Sequence, residues 1–137
     1  MIRYKIYLLI NDLRRVPDLP NICVVTIFVA DMETAKDFYE TKLGFVVQKE
    51  YSKEIIQLQQ EGIAVILQKC EINSDIQYGT QATTVIALQS LDIEKTIEEY
   101  KQKEIPLIFD TPQKCPPGYF TAIKDPFGNV LEVIQFD

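Results

Sequence analysis

The sequence predicts an α+β fold: two tandem βαβββ modules with curved mixed sheets enclosing a cleft, plus an N-terminal extension. Three observations carry this expectation. The runs ICVVTIFVA at 22–30 and TTVIALQ at 83–89 are β-branched and apolar, the pattern of buried strands. Each is followed by an aspartate placed to cap a helix and by an apolar stripe at helical spacing. The second half then repeats the first at an offset of 61, aligning Asp31 with Asp92, Met32 with Ile93, Glu33 with Glu94 and Tyr39 with Tyr100. A repeat that duplicates a whole plan of elements points to paired modules. One small sheet with one helix leaves its other face open, so neither module has enough core alone. Clefts between modules are favoured ligand sites.

Residues 1–20 form the extension. Ile2, Ile6, Leu9, Leu13 and Val16 recur at helical spacing, while Ile2, Tyr4, Ile6, Leu8 and Ile10 alternate as in a strand. A short amphipathic helix ended by Pro17 and Pro20 is the preferred reading. The apolar run at 6–10 is too short for a secretory signal or a membrane span.

The first module covers 21–70. After the strand at 22–30, Asp31 caps a helix marked by Met32, Ala35, Tyr39 and Leu43, and Gly44 stops it. Strands follow at 45–51, 54–59 and 63–68, with Glu61-Gly62 as the turn before the last. Residues 71–81 are polar, contain Asn73, Ser74, Asp75 and Gly79, and read as a connector.

The second module covers 82–137. Asp92 caps a helix whose buried face is Ile93, Ile97 and Tyr100, with Lys101 and Lys103 in the last turn, where cations suit the helix dipole. A strand is expected at 107–109 after Pro106. The stretch TPQKCPPGYF at 111–120 reads as a lid or a stiff connection. Strands at 119–124 and 129–136 close the chain as a hairpin, with Asp125-Pro126 and Gly128-Asn129 forming its turn.

Composition narrows the function. The 137 residues carry a net charge of -6, which repels phosphate backbones and disfavours nucleic acid as a partner. Neutral or cationic small ligands are easier to accommodate. There is no histidine, so Ser–His and Cys–His nucleophile systems are excluded. Cys23, Cys70 and Cys115 have no paired spacing, giving neither a disulfide framework nor a zinc pattern. Thiols in a reducing cytoplasm fit that sparse usage.

Two stretches then stand out: TIFVADMETAKDFYETKLGF at 26–45 and KDPFGNVLEV at 124–133. Together with the repeat, they resemble the vicinal oxygen chelate superfamily, which includes glyoxalase I, extradiol dioxygenases and bleomycin-resistance proteins. The resemblance covers residues 21–137. It implies four strand positions that hold a divalent ion in the metal-dependent members, filled there by His, Gln or Glu. Here they fall on Val24, on Ile66 or Leu67, on Val85 and on Glu132. Only Glu132 offers an oxygen, and metal sites generally need three or more protein ligands. The resemblance therefore implies the metal-free, bleomycin-resistance-like branch: no metal, no cofactor, and a homodimer that sequesters a small molecule. Catalysis is disfavoured on the same ground. A glyoxalase- or lyase-like enzyme with an atypical metal site or none is an alternative, and so is a dimeric interaction module without a ligand.

Glu132 shares a strand face with Val130, Ile134 and Phe136 by the period of two. A carboxylate buried there needs a partner. Its partner is either a ligand, or else a lysine, a tyrosine hydroxyl or water. Phe28, Tyr51, Tyr78, Tyr119 and Phe120 are expected to border the cleft, where aromatic rings can stack on a planar ligand. Core packing is the plainer reading for each. Val24, Leu67 and Val85 complete the expected lining. Gln57, Gln59 and Gln68 read as solvent-facing, and Cys115, beside Lys114, is not expected to be catalytic.

Overall fold

The computed structural model describes residues 22–71 and 75–137. The helix expected in the N-terminal extension lies outside the described residues. Strand β1 (Val24–Val29) alternates as its sequence requires: Ile27 and Val29 are buried, while Val24, Thr26 and Phe28 face outward. Asp31 caps the following helix, α1 (Met32–Lys36), accepting from the Thr34 N–H at 2.8 Å and the Thr34 hydroxyl at 2.6 Å.

The helix expected to run regularly to Leu43 loosens into a π-helical turn at Asp37–Lys42. The Leu43 N–H reaches back five residues to the Phe38 carbonyl, at 2.9 Å. This wider winding buries the consecutive residues Phe38 and Tyr39 together. Gly44, at φ 85°, then turns the chain out of the helix, as its place after the stripe predicts.

Strands β2 (Val47–Ser52), β3 (Ile55–Leu58) and β4 (Ala64–Lys69) complete the first sheet, in the order β1-β4-β3-β2, with β1 and β4 parallel. The second half contains β5 (Ile86–Gln89), α2 (Ile93–Gln102), β6 (Gln113–Cys115), β7 (Gly118–Lys124) and β8 (Val130–Phe136). Its order is β5-β8-β7-β6, again with the first and last strands parallel. The α+β fold of two four-stranded mixed sheets is thus the one the repeat predicts.

The edge of the second sheet differs from expectation. The strand expected at 107–109 is reduced to a bridge between Leu107 and Ile123. The segment still pairs with β7, through Lys124 N–H to the Pro106 carbonyl (3.0 Å) and Ile108 N–H to the Ala122 carbonyl (2.7 Å). It then departs before Pro112, which has no N–H to give a ladder. The chain rejoins the sheet as β6, inside the stretch read as a lid. TPQKCPPGYF is therefore an edge hairpin turning at Pro116-Pro117.

The helix-side faces of both sheets meet in one core. Ile27, Val29, Tyr39, Leu58 and Leu67 come from the first module, and Ile97, Ile123, Phe127, Leu131 and Val133 from the second. One buried polar cluster crosses this seam. The Tyr39 hydroxyl donates to Asp125 Oδ2 at 2.8 Å. The Asp125 carboxylate, 4% exposed, also accepts from the N–H groups of Phe127 (2.9 Å) and Asn129 (2.8 Å) and from the Asn129 amide (2.7 Å). That amide donates to the Phe28 carbonyl as well, at 2.8 Å, tying the turn to β1. Asp125 is thus a satisfied structural carboxylate, and its turn locks the two modules together.

Candidate functional site

With the helix-side faces joined in the core, each sheet keeps one open face. On the second sheet, Glu132 pairs with Ala87 of β5 and with Ala122 of β7. Two alanines flank the half-buried glutamate, Ala122 fully buried and Ala87 exposed. Phe120 pairs with Ile134 one step further along the same face, and Cys115 pairs with Gly118 beyond it. The edge segment adds Phe109, whose ring stands edge-on to Phe120 with centroids 5.7 Å apart.

The connector crosses this face. Tyr78 packs its ring edge-on against Phe109, at 5.7 Å, and donates its hydroxyl to Glu132 Oε1 at 2.5 Å. Asp75 pairs with Lys124 at 2.6 Å. Of the partners open to Glu132 in the sequence, a tyrosine hydroxyl is the one the fold supplies. Desolvation, then the hydrogen bond and charge of Glu132, push the Tyr78 hydroxyl up to about 12, with a smaller contribution from Cys115. Tyr39 is raised by burial and by the charge of Asp125, and Tyr100 by burial and by Glu99.

These three phenols make stability pH-dependent at the alkaline end. The unfolded chain ionises its tyrosines near about pH 10, while the folded chain resists. Their contribution is whole below that pH and is lost as pH rises through the folded values. Urea unfolding should show stability falling from about pH 10 towards about pH 12, with a shallower fall in Tyr78→Phe; a flat profile would contradict the raised values.

The first sheet's open face carries exposed Val24, Phe28 and Tyr51. The Tyr51 hydroxyl donates to Gln57 Oε1 at 2.8 Å, and the Gln57 amide donates to Gln48 Oε1 at 3.0 Å. The Lys49 ammonium lies 4.5 Å from the centre of the Tyr51 ring. At the seam, a cavity of about 320 Å³ is lined by Thr26, Phe28, Ile76, Thr84, Asn129 and Val130, among others.

The structure sorts the residues singled out from the sequence. It brings Glu132, Tyr78 and Phe120 together. Phe28 borders the seam cavity, and Val24 and Tyr51 lie on the other sheet. Leu67 is 0% exposed and belongs to the core, so Ile66 is the open-face residue of β4. Val85 precedes β5, and Ala87 is the residue in register with Glu132. Tyr119 pairs with Gln135 and so points to the opposite side of β7 from Phe120. Gln57 is not simply solvent-facing, since its amide links Tyr51 to Gln48. Sequence reasoning missed Ala87, Ala122 and Phe109. The alanines carry no signal until register is known, and Phe109 reads equally as a strand residue.

The donor set does not fit a divalent ion of the kind the superfamily's enzymes hold. Val24, Ile66 and Val85 are hydrocarbon, and one oxygen of Glu132 already accepts from Tyr78. Among the described residues, no group of three or more Cys, Asp or Glu side chains is placed to share an ion.

The fold and these strand positions define a paired-module protein, and sequence comparison agrees. Residues 21–133 match the Glyoxalase/Bleomycin resistance protein/Dioxygenase superfamily, and the chain belongs to that superfamily. Among solved structures, it is similar to a glyoxalase family protein from Enterococcus faecalis, at 21% identity and a TM-score of 0.67, covering 84% of this chain and 97% of that one. It is also similar to FosX, a fosfomycin resistance protein from Listeria monocytogenes, at 14% identity and a TM-score of 0.69, covering 87% and 95%. A third similar structure is TnmS3, an antibiotic binding protein from Streptomyces sp. CB03234, at 20% identity and a TM-score of 0.62, covering 88% and 98%. At these identities the likeness establishes the fold alone. No curated protein matches the chain. No described helix is long and apolar enough to cross a membrane.

Proposed function

We propose that this protein binds a small molecule without a metal, at the pocket around Glu132, and sequesters it rather than transforming it. The observation that carries this reading is a half-buried carboxylate set between two alanines and beside an aromatic cluster, at a strand position where the superfamily's enzymes place a metal ligand. A site with one carboxylate and hydrocarbon elsewhere retains recognition and loses the Lewis acid. The net charge of -6 and the aromatic lining favour a neutral or cationic aromatic ligand. The likeness to TnmS3, described as an antibiotic binding protein, supports a binding role.

The working unit spans both modules, 21–70 and 82–137, joined by the connector 71–81. We assign it to a homodimer, because Val24, Phe28 and Tyr51 leave an apolar, aromatic face open on the first sheet. A reducing cytoplasm suits the exposed Cys23 and the half-buried Cys115.

A thermal-shift screen across cationic, aromatic and anionic compounds tests the reading. At least one cationic or neutral aromatic compound should stabilise the protein, and Glu132→Gln should bind it about tenfold or more weakly, since hydrogen bonds to charged groups contribute about 1.5–3 kcal/mol. Stoichiometric Ni, Zn, Mn or Fe in protein purified without chelator would overturn the metal-free reading. A monomeric mass in solution would remove the dimer.

A further inference from the structure

We propose that Tyr78 is a built-in stand-in for the ligand: the segment 75–81 fills the Glu132 pocket with a phenol, and the ligand is an aromatic molecule bearing a cationic donor group that displaces it. This rests on reading the Glu132 pocket as the ligand site. The phenol shows what the pocket recognises. Its ring stands edge-on to Phe109 and its hydroxyl meets Glu132 Oε1 at 2.5 Å. A planar ring carrying a protic group would satisfy the same two contacts. A cationic donor would satisfy them better than a neutral phenol, because opposite charges strengthen the hydrogen bond to the carboxylate.

The strap is built to lift. Among the described residues its polar side-chain anchors on the sheet are Tyr78 on Glu132 and Asp75 on Lys124, and Asp75 is 86% exposed. Gln77, Gly79, Thr80 and Gln81 around Tyr78 are themselves exposed. The turn holds its own shape, with the N–H groups of Gln81 and Ala82 both donating to the Gln77 carbonyl at 3.0 Å. Gly79, at φ 79°, completes that turn. The segment can therefore move as a unit, giving up the half-buried Tyr78 ring and Ile76 side chain, one hydrogen bond and one largely exposed ion pair, the last of little energetic weight. The strap need not unfold for the pocket to open.

Benzamidine, a planar aromatic cation, is a suitable probe, with benzoate as the anionic control; both can be titrated by NMR. Tyr78→Phe keeps the ring but removes the donor that competes for Glu132. It should bind benzamidine about fivefold more tightly than the wild type, the equivalent of one hydrogen bond no longer competing. Asp75→Asn, which loosens only the outer anchor, should act in the same direction more weakly. Benzamidine should shift the backbone signals of Gln77–Gln81 in the wild type, and benzoate should not.

Unchanged or weaker benzamidine binding in Tyr78→Phe overturns the proposal, as does the absence of binding to both proteins. Should a stabiliser from the screen bind wild type and Tyr78→Phe equally yet need Glu132, the pocket reading stands and the displacement falls. Should it bind Glu132→Gln as well as the wild type, the pocket reading itself falls.

Discussion

Gly118→Ala is expected to destabilise the protein by on the order of 3 kcal/mol, because overpacking and backbone strain each cost about 1–3 kcal/mol. Gly118 opens β7, is buried, and sits at φ 152°. A methyl group there would lie 2.0 Å from the Gln135 carbonyl oxygen and 3.1 Å from the Asp137 nitrogen. Both atoms are backbone on the neighbouring strand side, so no rotamer change relieves the clash. Relief requires β7 and β8 to part at the end where Gly118 pairs with Phe136 and Asp137 N–H donates to the Pro117 carbonyl. Gly62→Ala is the control. Its φ is 86°, but nothing lies within 4 Å, so it should lose only the backbone term, about 1 kcal/mol. Urea unfolding should show the larger midpoint shift for Gly118→Ala at unchanged slope. Equal shifts would mean that the close approach is not what requires glycine.

Asp125→Ala should cost about 3 kcal/mol or more. It removes the acceptor for four donors at once, and a buried group left unsatisfied costs about 1–3 kcal/mol. Those donors are the Tyr39 hydroxyl, the Phe127 and Asn129 N–H groups and the Asn129 amide. Three of them hold the turn between β7 and β8, and the fourth comes from the other module. Tyr39→Phe deletes only the hydroxyl's bond to Asp125 and should cost less, about 1–2 kcal/mol, since the carboxylate keeps three donors. The two changes remove the same contact, so the double variant should fall short of the sum by the energy of that contact. Strict additivity would mean that Tyr39 and Asp125 do not act as a pair. Neither variant touches Glu132, so ligand binding in the surviving folded protein should be unchanged.

The two halves of this site were unequally legible. Asp125 and Gly128 announce a turn, because an aspartate that accepts from its own following backbone and a glycine able to adopt positive φ are local features. That Asp125 would also receive the hydroxyl of Tyr39, 86 residues away, has no local signature; in sequence, Tyr39 is one more member of an apolar helical stripe. The π-helical turn that places it there reads as ordinary helix, since its residues have no distinctive propensity. Likewise, 107–109 and 113–115 both carry strand-like residues. The interruption between them is set by pairing with β7 rather than by composition.

What the sequence determined by itself is the plan: two matched modules, their capped helices, most of their strands and the strand that bears Glu132. Each follows from short-range rules of periodicity, capping and glycine or proline placement, which act within a few residues and so survive in a linear text. What the tertiary structure decided is which side chains meet. Leu67 fell to the core and Ile66 to the open face, and Tyr119 turned away while Phe120 turned in. Side chains alternate with a period of two, so a one-residue difference in phase exchanges the faces. The partner of Glu132 was settled by the path of the connector, a long-range outcome that brings Tyr78 across 54 positions to the Glu132 carboxylate.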